Sequence, residues 1–568
     1  MSEPTPTTES PIDGEISTLG RCPEHFNIAE LFLQRVRERP DSIAVREPSR
    51  GRWVDTTFAE LDRKSDAIAA GLVGEGLEPG DRVSLFLHPG ADLIATVYAI
   101  FKLGAVAVLI DPGMGRQSLL DCIQRIRPRA LVGVPKAHVA RTLFPKFFES
   151  VEIFVTAGRR LGWSGARLAS FLEAGSGFEA TDTHRDDEAA ILFTSGSTGP
   201  PKGVVYTHAM FRAQAIALSR VYHFKPGEVD VACFPLFALI DTALGMTSVF
   251  PEMDPSRPGQ CSPQQICRAL EENRATTTFG SPAIWRRVVP YCLQNIRRFP
   301  DLRRVLIAGA PVPPSLVEDL HKVLGLEADV YTPYGATEAL PVASLQGREL
   351  VGPLRKRTET GSGTCVGYPT PGTEVRVIRI VDEVIETWSD DLCLEAGETG
   401  EICVRGPAVT KQYKFDEAAT ARAKIHDPAT GDTWHRMGDG GYFDAEGKLW
   451  FCGRVAHRVE TAHGTLLPVP IENIYNTQAR VFRSAVVGVG PRGEQEPVLI
   501  IEPPEGGFPR SPRQKKQMAG DILRIGGPHA EFADIKRVLF HRHFPVDPRH
   551  NAKIHREELA RWAATELE

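Results

Sequence analysis

The chain has 568 residues, more than one ordinary hydrophobic core supports, so its length predicts several domains. Hydrophobic residues make up 42% and charged residues 24%, the balance of a globular protein rather than a disordered or fibrous one. Lys and Arg number 66 against 72 Asp and Glu, a net charge of −6 that argues against general nucleic-acid affinity.

Taken in order, residues 1–19 are rich in Thr, Ser, Pro and Glu and lack an apolar core segment, which predicts a disordered tail and no signal peptide. A helix of period 3.6 is expected over Phe58 to Leu72. Strand Arg82 to Leu87, helix Ala91 to Leu103, strand Val106 to Ile110, helix Gln117 to Ile126 and strand Ala130 to Val134 follow. Ala91 to Ile110 is the most membrane-like window, but Asp92 and Lys102 interrupt it, so a buried helix and strand are expected and no transmembrane span. The alternation is the βαβ rhythm of a parallel sheet. It returns with helix Ala209 to Val221, strand Val231 to Phe234, helix Pro263 to Glu272, and strands Thr276 to Phe279 and Arg304 to Ala308. Two related α/β subdomains are therefore expected. Leu345 to Thr364, basic and poor in apolar residues, reads as an exposed loop. From about Val366 the texture turns to short Gly-rich strands, such as Glu374 to Ile380 and Gly400 to Arg405, as in a distorted barrel or small antiparallel sheet. After Gly453-Arg454 comes a smaller α+β unit with strands Ser484 to Val489, Pro497 to Ile501 and Arg537 to Phe540, and a helix around Gln514 to Arg524. Ten irregularly spaced cysteines without a CxxC pair read as reduced thiols of a cytoplasmic protein.

One loop stands out: Thr194, Ser195, Gly196, Ser197, Thr198, Gly199, two prolines, Lys202 and Gly203, flanked by Ala190-Ile191-Leu192-Phe193 and Val204-Val205-Tyr206. The flanks predict a hairpin with this loop at its tip. Glycines let backbone N–H groups converge on one anion, the hydroxyls add donors, and Lys202 adds positive charge, so the tip fits a polyphosphate. It does not match the P-loop, because two prolines separate Gly199 from Lys202 and no helix follows.

That loop resembles the phosphate-binding signature of the adenylate-forming superfamily of acyl-CoA synthetases, peptide-synthetase adenylation domains and luciferases. Ala308-Gly309-Ala310-Pro311, Tyr334-Gly335-Ala336-Thr337-Glu338, Gly397 to Ile402, Met437-Gly438-Asp439, Gly453-Arg454 and Asn551-Ala552-Lys553-Ile554 agree in order and spacing. The resemblance spans Ile28 to the C-terminus. It implies an α/β fold: a large N-terminal domain over residues 20–453, made of two α/β subdomains and a small β-barrel-like part, hinged to a small mobile α+β domain over 454–568.

It also implies ATP and Mg²⁺. Adenylation brings a carboxylate to the α-phosphorus while pyrophosphate leaves, so the site must aim cations and donors at accumulating negative charge. Lys202 and the loop would hold the β- and γ-phosphates, and Glu338 the metal, since Mg²⁺ takes one or two carboxylates plus phosphate oxygens. By resemblance Thr337 contacts the α-phosphate, and Lys553 enters from the C-terminal domain to bridge carboxylate and phosphate. Taken alone, a Thr-Glu pair after glycine is more often a helix cap. Tyr334 offers an aromatic face to adenine, with Gly309, Ala310 and Pro311 opposite and Gly335 beside it; alone it reads as a core aromatic. Asp439 can accept both ribose hydroxyls, where an isolated Asp in such a turn is usually a turn former. Arg454 adds a charged contact.

Two departures narrow the function. Ala456 stands where relatives with a thioester-forming conformation carry Asp or Lys, and the stretch Val459 to Leu466 has its glycine displaced and no basic residue after it. In Phe234-Pro235-Leu236-Phe237-Ala238, Ala238 replaces a common His and leaves room for an α-branched acid. His208, Phe237, Ala238 and Asp241 are the expected acyl-pocket residues, and His208, Asp241 and His457 are candidate bases. With Phe250 to Pro258, these features resemble the β-lactone synthetase branch of bacterial long-chain olefin biosynthesis. That implies a fatty-acid-derived 2-alkyl-3-hydroxyalkanoic acid as substrate and other olefin-pathway enzymes as associates. The alternatives are a medium- or long-chain acyl-CoA ligase and a non-catalytic nucleotide-binding protein.

Overall fold

The computed structural model describes residues 22–174, 177–194, 201–526, 534–547 and 553–568. The expected tail over 1–19 lies outside them. The first subdomain is a seven-stranded sheet in the order Ala166–Arg167, Ile153–Thr156, Ala130–Gly133, Arg82–Phe86, Val106–Ile110, Glu188–Thr194 and Lys202–Thr207. Every pairing is parallel except the last, which is the antiparallel hairpin. Helix Phe58–Gly74 starts at a capping box, in which Thr57 and Glu60 satisfy each other's backbone N–H groups. Helix Ala91–Leu103 runs between Gly90 and a left-handed Gly104 (φ 74°). Its membrane-like composition follows from burial on nearly every side, and the buried Lys102 ammonium lies 2.5 Å from both Asp62 and Asp66. Among the described residues no helix is long and apolar enough to cross a membrane.

The second sheet has a parallel centre, Ile43–Ser49, Thr247–Val249, Val229–Ala232, Thr277–Gly280, Arg304–Ile307 and Asp329–Ala336. The hairpin strand Arg52–Thr57 closes one edge. The other edge continues antiparallel through Ala339–Gln346, Thr364–Pro369, Leu449–Arg454, Thr433–Phe443, Gly400–Arg405 and Glu374–Ile378. The part expected to resemble a barrel is thus an antiparallel wing hydrogen-bonded onto the second subdomain.

The stretch Leu345 to Thr364 is not the exposed loop its composition predicts. Helices Gly347–Val351 and Pro353–Glu359 bury Leu350, Leu354 and Thr358. The Gly352-Pro353 step splits the pattern into pieces too short to show a helical period, and Pro353 opens the second helix, where its missing N–H costs nothing.

Among the described residues beyond Arg454 the strands pair only among themselves: Val459–Thr461 with Gly464–Leu466, and Arg483–Val489 with Glu496–Glu502 and Arg537–Phe540. Ile471, Tyr475, Val486, Leu499, Ile501 and Ile522 form a separate core there. Helices Pro512–Gly526 and Arg556–Leu567 cover the three-stranded sheet.

Candidate active site

The two strands that flank the phosphate-like loop pair in register from Ala190↔Tyr206 to Thr194↔Lys202. The tip itself, Ser195, Gly196, Ser197, Thr198 and Gly199, lies outside the described residues. A second segment runs alongside the hairpin: Tyr413 bridges to Val204, the Lys414 N–H donates to the Gly203 carbonyl at 2.8 Å, and the Lys414 ammonium sits 2.7 Å from Glu188. This docking brings the Tyr413 ring to 4.9 Å from the Lys202 ammonium.

Tyr334 and Gly335 lie near the end of strand Asp329–Ala336, and Thr337-Glu338 form the turn into Ala339–Gln346. This turn joins two strands and caps no helix. A Cβ at Gly335 would come within 2.5 Å of the Ala339 carbonyl, so the turn closes only on glycine. Three groups fix it. Tyr206 donates its hydroxyl to the Thr337 carbonyl. Tyr413 donates its own to Glu338 Oε1 at 2.7 Å, and the Thr410 N–H donates to the Glu338 carbonyl at 2.9 Å. Gly309, Ala310 and Pro311 follow the parallel strand Arg304–Ile307 at its C-terminal end, the side on which open α/β sheets bind ligands.

Asp439 is buried on strand Thr433–Phe443, directly across from Arg454. Tyr334 donates its hydroxyl to Asp439 Oδ2 at 2.6 Å. Oδ1 lies 3.0 Å from Arg454 Nη1 yet receives no aligned hydrogen bond among the described residues, while that nitrogen donates to the Met437 carbonyl at 3.0 Å. Burial pushes the Asp439 carboxyl up, and Arg454, the Tyr334 hydroxyl and Lys553 pull it back. Lys553, from the C-terminal unit, is thus among the charges that act on Asp439. Its backbone is pinned by Asp547, whose N–H donates to the Lys553 carbonyl at 3.0 Å and whose carboxylate accepts the Lys553 N–H at 3.1 Å.

Lys202, Tyr334, Thr337, Glu338, Asp439, Arg454 and Lys553 are thus linked through direct contacts or mutual electrostatics, with Tyr206, Thr410 and Tyr413 as supports. The expected acyl-pocket residues His208, Phe237, Ala238 and Asp241 are all buried. Phe237 stacks on Phe279 at 4.5 Å, and Ala238 is fully buried. Asp241 is also fully buried: its Oδ2 accepts the Ser248 hydroxyl at 2.8 Å, and burial together with the adjoining Asp230 pushes its carboxyl well up. His208 is buried with Nδ1 accepting the Ile28 N–H at 3.1 Å, and burial lowers its pKa to about 4. His457 is half-buried, pushed down to about 4 by burial and by the charges of Arg556 and Arg454.

Tyr413, Thr410 and Tyr206 escape a reading of the sequence. The one available signal was the lysine pair flanking Gln412-Tyr413, next to a segment otherwise read only as barrel texture. For a divalent cation, the donor set is suitable. Glu338 is a half-buried carboxylate with one oxygen held by a neutral hydroxyl, beside the Lys202 charge that would meet phosphate oxygens. The Asp439 Oδ1 acceptor left without an aligned donor suits a ribose hydroxyl.

Residues 32–414 match the family described as AMP-binding enzyme. Over 558 residues the chain is 46% identical to the olefin β-lactone synthetase of Xanthomonas campestris pv. campestris, covering 96% of this chain and 99% of that one. The olefin β-lactone synthetase of Stenotrophomonas maltophilia is likewise 46% identical, over 95% of this chain and 99% of its own. Among solved structures, the amide bond synthetase McbA of Marinactinospora thermotolerans is similar with a TM-score of 0.76 at 25% identity, over 94% of this chain and 99% of that one.

Proposed function

Because the chain belongs to the AMP-binding enzyme family, we propose that it activates a 2-alkyl-3-hydroxyalkanoic acid as its adenylate and closes it to a β-lactone. The observation that carries this reading is the 46% identity to olefin β-lactone synthetases over nearly the whole chain, joined to a site that gathers Lys202, Glu338, Asp439 and Lys553.

A carboxylate oxygen of the acid attacks the α-phosphorus of ATP, and the bond to the β-phosphate oxygen breaks to release pyrophosphate. Lys202 and the hairpin tip hold the leaving phosphates. Asp439, positioned by the Tyr334 hydroxyl and Arg454, takes the ribose. The ammonium of Lys553 bridges the acid and the α-phosphate, a task suited to a compact point charge. Glu338 would hold Mg²⁺, which neutralises phosphate charge when bound. The substrate's β-hydroxyl oxygen then attacks the acyl carbon, the bond to AMP breaks, and the hydroxyl proton leaves to solvent or a base. An internal nucleophile has a high effective molarity, which offsets part of the strain of the four-membered ring. No thiol acceptor is needed, in keeping with Ala456 at the hinge. The same reading places the reaction in the cytoplasm beside other enzymes of olefin synthesis.

The test is product analysis by NMR with ATP, Mg²⁺ and a 2-alkyl-3-hydroxy acid, with and without CoA. AMP, pyrophosphate and lactone without CoA support the proposal. Acyl-CoA formed only when CoA is present would replace it with a ligase.

A further inference from the structure

The metal site proposed at Glu338 has a second layer that its own side chain does not reveal. Helix Glu417–Ala423, capped by Asp416, delivers the chain into the short edge strand Lys424–His426, where Lys424 pairs across from His435. This lysine is buried, an arrangement that costs stability unless the ammonium is held. It is held by the carbonyl of Thr410 and, at 3.2 Å, by the Thr410 hydroxyl. The same ammonium lies 5.8 Å from the centre of the Tyr413 ring, which also carries Lys202 at 4.9 Å.

Thr410 and Tyr413 are two of the groups that grip Glu338. Thr410 donates its N–H at 2.9 Å and its hydroxyl at 3.2 Å to the Glu338 carbonyl, and Tyr413 donates to the carboxylate at 2.7 Å. We propose that Lys424 is a positioning residue for metal and nucleotide binding, anchoring from one buried point both the backbone support and the side-chain support of Glu338. The inference rests on the reading of Glu338 as the metal ligand. Its charged surroundings are consistent with such a role. Burial lowers the Lys424 pKa to about 7, the Glu338 carboxylate favours the ammonium and Lys202 opposes it, and burial together with Lys424 holds the His435 imidazole opposite well below its usual range.

The test measures Mn²⁺ binding by the full-length protein in the presence of ATP, by electron paramagnetic resonance of free Mn²⁺. The variants are Lys424→Met, which keeps length and volume without charge, Lys424→Gln, Glu338→Gln, and the double variant Lys424→Met/Glu338→Gln. Supports of metal ligands typically contribute tenfold or more in affinity, so Lys424→Met should weaken Mn²⁺ by about 10-fold. Half-saturating Mg²⁺ for AMP formation should rise by a similar factor while the KM for the acid stays unchanged. In the Glu338→Gln background Lys424→Met should have little further effect, as expected of two residues acting through one site. Unchanged Mn²⁺ affinity in folded Lys424→Met overturns the inference, as does full additivity with Glu338→Gln. If Lys424→Met does not fold, Lys424→Gln decides: weaker Mn²⁺ binding supports the inference and unchanged binding overturns it. Wild-type affinity in Glu338→Gln alone would instead sink the reading of Glu338 as metal ligand.

Discussion

His208 offers a sharp contrast between a catalytic and a packing role. Its Nδ1 accepts the Ile28 N–H at 3.1 Å, so the neutral ring carries its proton on Nε2, which is buried with no hydrogen-bond partner among the described residues, and a second proton on Nδ1 would break that bond and bury a charge. Burial lowers its pKa from 6.5 to about 4. The unfolded chain then binds the proton more tightly, so stability falls as pH drops below the unfolded value and levels off only below the folded one. Between about pH 7 and pH 5 these two values give a loss of roughly 2 kcal/mol. His208→Asn places an amide oxygen near Nδ1 and retains the acceptor for Ile28 while removing the titration. Denaturant unfolding of both proteins at the two pH values should show the wild type losing about 2 kcal/mol more than the variant. Equal pH slopes, with an inflection near neutrality lost from the variant's rate of lactone formation, would refute the buried-packing account and restore His208 as a base.

Lys553→Ala should abolish acid-dependent pyrophosphate release while ATP still binds, measured by exchange of labelled diphosphate into ATP and by calorimetry. Asp439→Asn removes the charge that Arg454 faces at 3.0 Å and weakens the ribose acceptor; the KM for ATP should rise by about 10-fold or more, with the KM for the acid little changed. Tyr334→Phe keeps the ring but frees Asp439 Oδ2 of its 2.6 Å hydrogen bond, so ATP binding should weaken by about 1–2 kcal/mol in calorimetry.

Where local chemistry decides structure, the sequence was readable. Helix Ala91–Leu103 has the predicted bounds because Gly90 and Gly104 bracket it, and helix Pro263–Glu272 does because Ser262 caps it and Pro263 opens it. The hairpin around the glycine-hydroxyl loop follows from two apolar strands of matching length. Tertiary partners were not readable. Tyr413 acquires its role by contacting Glu338 from 75 residues away, and Lys424 does so through Thr410 and the Tyr413 ring. For Asp241 the sequence leaves structural pairing and proton handling both open, because Ser248 and Asp230, which surround it, arrive on separate strands. The Gly352-Pro353 break hid two helices for the opposite reason, because each, at five and seven residues, falls short of the window of about 11 residues or more over which a helical period is read.

The most direct test of the central claim follows oxygen. A 2-alkyl-3-hydroxy acid labelled with ¹⁸O in its carboxylate should transfer one labelled oxygen to AMP, because the acyl carbon–oxygen bond to AMP breaks when the ring closes. A substrate labelled at the β-hydroxyl should keep that oxygen in the lactone ring. AMP without label from the carboxylate, or a lactone that has lost its hydroxyl label, would contradict activation by adenylation followed by internal closure.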